Sequence, residues 1–156
     1  RMIDLRNTLG LRSPIHSLAR ILNPLNARCG LQSIFHPGYQ GVHRDASGLL
    51  GNHTIVIKGD GGEVEINPDT ISHLYGTTDG QPWDEEWPAL SDRRHVKPAT
   101  LDPQQLVGLW RGEIEDSYPQ LALIATMALA LRGLGKPRAE AFEQAEQFWK
   151  NRNTSI

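Results

Sequence analysis

The sequence predicts an α/β fold, and three observations carry the prediction. Thr54-Ile55-Val56-Ile57 is β-branched and almost wholly apolar, as expected of a strand buried on both faces of a parallel sheet. Before and after it, helical segments alternate with short strand-like runs, the order that crossover connections produce. The C-terminal third is helical, and its run from Leu121 to Leu131 is apolar nearly all round, which marks a buried core helix.

Taken in order, Ser13 is a good N-cap and Pro14 suits the first helical position. Ile15, Leu18, Ala19 and Leu22 then recur at helical spacing until Asn23-Pro24 stops the helix. Leu31 to Phe35 reads as a strand, and Pro37 opens a helix running to about Leu50, broken by Gly51-Asn52. A further strand is expected from Ile71 to Tyr75, followed by a polar surface excursion from Gly76 to Pro98. Asp102-Pro103 caps a helix through Trp110 that Gly112 ends, and Asp116 or Ser117 caps the core helix, which Gly133 or Gly135 stops. Pro137 opens a last helix with the stripe Ala141, Phe142, Ala145, Phe148 and Trp149. The expected organisation is one α/β domain over 1–156, with an α/β core at 1–75, a loop at 76–98 and a helical part at 99–156.

Composition bounds the function classes. The chain has 156 residues, enough for about one domain with a real core. Its 38% apolar and 22% charged content is that of a globular protein. Cys29 is alone, which excludes an intramolecular disulfide or a cysteine metal cluster and suits a reducing cytoplasm. No apolar run approaches the ~18 residues of a membrane span, and Arg-Met-Ile-Asp does not begin a signal peptide. The six His lack zinc-ligand intervals, and no Ser-His-Asp or Cys-His arrangement follows from spacing. The net charge of −2 hides an asymmetry, since residues 1–49 hold six Arg and no Lys against Asp4 and Asp45. Such a basic sector on an acidic chain points to a local anion site.

Two stretches carry chemistry. In Leu5 to Pro24, Arg6 and Arg12 flank the mouth of the Ser13-capped helix, whose free N–H groups and dipole favour anions. The alternative is an ordinary capped helix with two solvated arginines. In Gly59 to Pro68, glycines just past a buried strand sit where open α/β sheets bind ligands, beside Asp60, Glu63 and Glu65, which suit a hard cation such as Mg²⁺. The alternative is a Gly-rich hairpin from Ile57 to Val64–Ile66. Trp83 and Trp87, near Arg93, Arg94 and His95, either stack on a base or pin a loop.

Arg6, Leu9, Gly10, Arg12, Ser13 and Asn23-Pro24 resemble the turn-helix segment of the anthranilate phosphoribosyltransferases, a family that includes the pyrimidine nucleoside phosphorylases (glycosyltransferase family 3 type). His16, Arg20 and the form Gly59 to Pro68 are closer to a divergent anthranilate phosphoribosyltransferase-like branch with a nucleic-acid-binding member. The resemblance implies the C-terminal half of that family's α/β domain, a partial sheet with flanking helices and a helical C-terminus. Arg6 and Arg12 would then bind substrate, either phosphoribosyl pyrophosphate or an acidic aromatic acceptor. Glu65, and beside it Glu63, would face Mg²⁺, while Val64 stands where the family's metal-binding Asp is expected. No second glycine-rich phosphate loop is present. The implied partners are the missing N-terminal half and, at full length, a second copy. Two classes follow: a transferase-family domain not catalytic on its own, or a non-enzymatic binder of single- or double-stranded nucleic acid through Arg6, Arg12 and Arg20.

Overall fold

A computed structural model describes residues 10, 18–36, 38–59, 63–92, 94–96, 100 and 102–155. Its elements run β1 (Gly30–Ile34), α1 (Tyr39–Leu49), β2 (Thr54–Lys58), β3 (Ser72–Thr78), β4 (Gln81–Trp87), α2 (Pro103–Arg111), α3 (Ser117–Gly133) and α4 (Arg138–Lys150). The strands form a mixed sheet in the order β1-β2-β3-β4. β1 and β2 are parallel, joined by α1, and β3 and β4 add as an antiparallel hairpin. The α/β prediction therefore stands, with a sheet only partly parallel.

β2 is buried from Thr54 to Ile57. Full burial of Ile55, Val56 and Ile57 is worth about 5–9 kcal/mol against leaving them exposed, comparable to the net stability of a whole small domain. Ile55 and Ile57 join Leu74 and Trp87 in the main core with Ile124, Ala125, Ala128 and Leu129 of α3. Ala125 and Ala128 have no accessible surface, and their small side chains let α3 lie close to the sheet. α4 then packs on α3 through Ala141, Ala145 and Trp149. Asp102 and Asp116 cap α2 and α3 by accepting the N–H groups of Gln104 and Tyr118, as their positions predict. Arg152 closes the C-terminus, with its guanidinium 3.7 Å from the centre of the Trp149 ring and bonds to the carbonyls of Leu109, Trp110 and Trp149.

Four expectations need correction. The 76–98 excursion is not a loop, because Gln81–Trp87 forms β4. Asp79 and Gly80 both have positive φ, 51° and 73°, as the two central residues of a tight hairpin turn require. Nor are the two Trp exposed: Trp87 is core, against Phe142, and Trp83 lies half-buried along the hairpin. In α4, Phe148 is half-exposed and leaves the apolar stripe. Val64 to Ile66 is not a strand, so the hairpin alternative for Gly59 to Ile66 does not hold.

Gly76 sits opposite Trp83 in the hairpin. A Cβ added there would meet the indole at 2.1 Å, so glycine is what lets the ring lie across the strand. The ring is held by an indole N–H bond to Thr78 Oγ1 and by the Arg132 guanidinium 4.4 Å from its centre. Gly76→Ala is expected to expel Trp83 and cost about 1–3 kcal/mol by overpacking, read as a lower midpoint in thermal or urea unfolding.

Candidate ligand site at the carboxyl edge of the sheet

In a parallel α/β sheet, ligands bind beyond the carboxyl ends of the strands, where loops and helix N-termini converge. Here that edge holds the ends of β1 and β2, the start of α1 and the segment 63–69. Ser33 and Gly59 make the tightest contact. A Cβ on Gly59 would fall 1.7 Å from Ser33 Oγ and 2.6 Å from the Glu63 carbonyl oxygen, so only glycine fits. Ser33 Oγ is buried without a hydrogen-bond partner among the described residues.

Beside it an aromatic run crosses the gap to α1. The Phe35 and His36 rings meet edge-on at 5.1 Å, and His36 and Tyr39 at 6.4 Å. Phe35 and Tyr39 are more than half exposed, at 54% and 59%. Gly38 begins α1 at φ 88° with no side-chain cap, and no acidic residue stands in the first turn, so the helix N-terminus keeps its positive field. Arg20 reaches the same strand, donating from Nη1 to the Ser33 carbonyl at 2.7 Å. Under α1, His43 Nδ1 lies 3.0 Å from Gln32 Oε1, and Gln32 Nε2 donates to Ser47 Oγ. Burial, then the charge of Arg20, lowers the His43 pKa and keeps the ring neutral.

The carboxylates divide by the alternation of an extended segment. Val64 packs on the core, while Glu63 and Glu65 are exposed together on the other side. Among the described residues no three His, Cys, Asp or Glu side chains converge on a metal position. Glu63 and Glu65 alone match Mg²⁺ only as it binds in phosphate sites, where one or two carboxylates and substrate phosphate share the ion. Arg6 and Arg12 lie outside the described residues, so of the basic candidates only Arg20 is placed. A wider cleft of about 620 Å³ opens at the opposite edge, lined by Arg28, His53, Trp83 and Arg132 among others. Neither Arg20 nor Glu63 nor Glu65 lines it, and it faces the amino ends of β1 and β2, so we place the candidate site at the carboxyl edge.

Spacing gave no sign of a second feature at this edge. Asp69 accepts the backbone N–H of His95 at 2.6 Å and faces His95 Nδ1 at 2.7 Å, while Pro68 accepts from Leu90 and Ser91. The chain after β4 is thus fastened to the Asn67-Pro68-Asp69 turn, and not by the two Trp. Since a carboxylate oxygen accepts, His95 Nδ1 is the donor to Asp69, and His95 Nε2 is buried with no hydrogen-bond partner among the described residues.

No family model matches the chain. It is 32% identical over 114 residues, 72% of its length, to an anthranilate phosphoribosyltransferase of Novosphingobium aromaticivorans. It spans 32% of the length of that relative. The fold is of the α/β kind that a phosphoribosyltransferase-type domain has, and the chain is a distant relative of the anthranilate phosphoribosyltransferases. Among the described residues, no helix is long and apolar enough to cross a membrane.

Burial by itself would raise the Asp69 pKa, but the bonds from His95 and Ser91 outweigh it and hold the carboxyl below its usual range. A group depressed in the folded state stabilises above its unfolded pKa, about 3.9 for Asp, and that stability is lost as pH falls through the folded value. Wild type should therefore lose stability on acidification below about pH 5 through this contact, and Asp69→Asn should remove that part of the slope. Melting temperatures between pH 7 and pH 3 check it.

Proposed function

We propose that this chain is a phosphoribosyltransferase-related domain that binds a phosphate-bearing ligand at the carboxyl edge of β1 and β2 and does not transfer phosphoribosyl groups on its own. The observation that carries the reading is the inward packing of Val64. The position that matches the family's metal-binding Asp is part of the hydrophobic wall, so Glu65 stands without its acidic neighbour. Transfer in such enzymes rests on electrostatic stabilisation of a developing cation and a departing diphosphate, and a missing metal ligand weakens that term directly. The 156-residue chain is expected to release no diphosphate from phosphoribosyl pyrophosphate in response to anthranilate. Val64→Asp should not restore release and should lower stability, because it sets a carboxylate against the core. Acceptor-dependent turnover by the unaltered chain would overturn the reading.

The ligand that best suits the edge is a nucleic-acid strand. The half-exposed Phe35–His36–Tyr39 run supports this, since exposed rings beside a basic side chain stack bases while the cation meets phosphate. Arg6, Arg12 and Arg20 would supply the phosphate contacts, in a protein resident in the cytoplasm. Phe35→Ala and Tyr39→Ala should weaken binding of a fluorescent single-stranded oligonucleotide, at about 1–3 kcal/mol per lost stack. Arg6→Ala and Arg12→Ala should each weaken it without regard to base sequence and flatten the log-affinity slope against log salt by about one unit per lost phosphate contact. Lys150→Ala is the control, being exposed on α4 beside Glu146. Arg138 would serve less well, since its guanidinium lies over Trp87 and Phe142. Absence of binding at low salt, or equal loss with Lys150→Ala, would favour a small anionic ligand instead.

A further inference from the structure

The chain is acidic overall, with 18 Asp and Glu against 16 Lys and Arg. Yet the cleft of about 620 Å³ at the amino ends of β1 and β2 has no Asp or Glu among its described lining residues, which include Arg28, Arg132 and His53. Arg28 is exposed, with no ion-pair or hydrogen-bond partner among the described residues. The side-chain amides of Asn26 and Asn52 line the same cleft, also without partners among the described residues. A concave surface of this composition attracts negative charge, and nothing in the carboxyl-edge site accounts for it.

Arg132 is fixed in place by β4. Trp83, Glu85 and Trp87 share one face of that strand by its alternation, and each engages the arginine or its partner. The guanidinium stacks 4.4 Å from the centre of the Trp83 ring, and its Nε donates to Glu85 Oε2 at 2.8 Å. Glu85 Oε1 accepts the Trp87 indole N–H at 2.9 Å, so both carboxylate oxygens are engaged. The N–H groups on the two Nη atoms of Arg132 have no partner among the described residues. A fork immobilised by stacking and by its Nε is ready to take a carboxylate or phosphate through two parallel bonds.

The wall beneath is apolar. Ile55 is buried, and a Cβ added to Gly133 would fall 2.7 Å from Cys29 Sγ and 3.4 Å from Ile55 Cδ1. Burial pushes the Cys29 thiol up, and Sγ donates weakly to the Gly30 carbonyl at 3.6 Å, so the sulfur is uncharged. The lone cysteine is thus a piece of wall and adds no negative charge. At the end of α3 the carbonyls of Ala130, Leu131 and Arg132 accept from Leu134, Lys136 and Gly135, which blunts the negative end of the helix. Glu85 offsets Arg132, which leaves Arg28 as the unbalanced charge.

We propose that this cleft is a second ligand site, separate from the carboxyl edge, for a small organic anion whose carboxylate or phosphate group is held by the Arg132 fork, with Arg28 supplying the balancing charge. The volume is far more than a bare oxyanion fills and lies within the roughly 300–1,000 Å³ of small-molecule sites. The body of the ligand rests on Ile55, Cys29 and Gly133, and Asn26 and Asn52 meet its polar atoms.

The test is an NMR titration of the isotopically labelled 156-residue chain with three probes. Adenosine monophosphate carries a phosphate, benzoate a carboxylate, and adenosine neither. At least one of the two anions should move the Trp83 indole N–H signal and the Gly133 and Gly135 amides along a saturable curve at millimolar concentration, and adenosine should not. The anion that does so identifies the head group. Arg132→Lys keeps the charge but loses the fork, and should raise the Kd about 10-fold, as loss of one charge-assisted bond implies. Arg28→Ala should raise it roughly 2–5-fold, as loss of an exposed charge contact does, with the melting temperature unchanged. No saturable shift with either anion, or equal shifts with adenosine, would overturn the proposal. Shifts confined to Tyr39 and Gly59 would also overturn it, by placing the binding at the carboxyl edge. So would a Kd unchanged by Arg132→Lys, which would leave Arg132 as a tie between α3 and β4. Should that variant fail to fold, an unchanged Kd in Arg28→Ala decides against the site.

Discussion

The burial of Thr54, Ile55, Val56 and Ile57 obliges the chain to supply a layer on each face of β2. α3, backed by α4, meets one face through small residues, and α1 meets the other through polar ones. The hairpin of β3 and β4 closes one side of the strand, leaving β1 to close the other. Because β2 cannot move without opening both layers, its carboxyl end is a fixed reference, and Lys58 and Gly59 are presented from it. The positions of Ser33 and Arg20 follow from the parallel register that joins β1 to it.

Much of this was legible in the residues, and for identifiable reasons. α1, β1, β2 and β3 follow from periodicity and from Gly, Pro and Asn at their ends. The caps at Asp102 and Asp116 follow from side-chain chemistry that is local by nature. β4 was hidden because an edge strand carrying Pro82, Asp84, Glu85 and Glu86 has the composition of a loop. The signal that would have found it is Asp79-Gly80, the pair a two-residue hairpin turn prefers. Trp87 was misjudged with it, since its charged neighbours suggested solvent while its own side of the strand faces the core.

The site was less legible than the fold. Asp69 and His95 are 26 residues apart, and no spacing rule joins a turn after β2 to a segment after β4. Val64 was visible as an absent ligand, but its packing on the core is a tertiary fact. Glu63 and Glu65 were read as chemistry from type and order alone, and the structure adds only that they share a solvent-facing side. Arg6 and Arg12 carry the resemblance yet fall outside the described residues, so their part in the site rests on sequence.

The Asp79-Gly80 turn lies at the amino end of β2, where Asp79 N–H donates to His53 Nε2 at 3.3 Å. It is therefore at the end of the sheet opposite Gly59 and the aromatic run. Residues added or lost at this turn would change the outline of the molecule without displacing the carboxyl edge, because β3 and β4 hold each other in register along their whole length. Evolution can thus vary one end of the sheet in length while conserving the other in geometry, and homologues should diverge first at this hairpin tip.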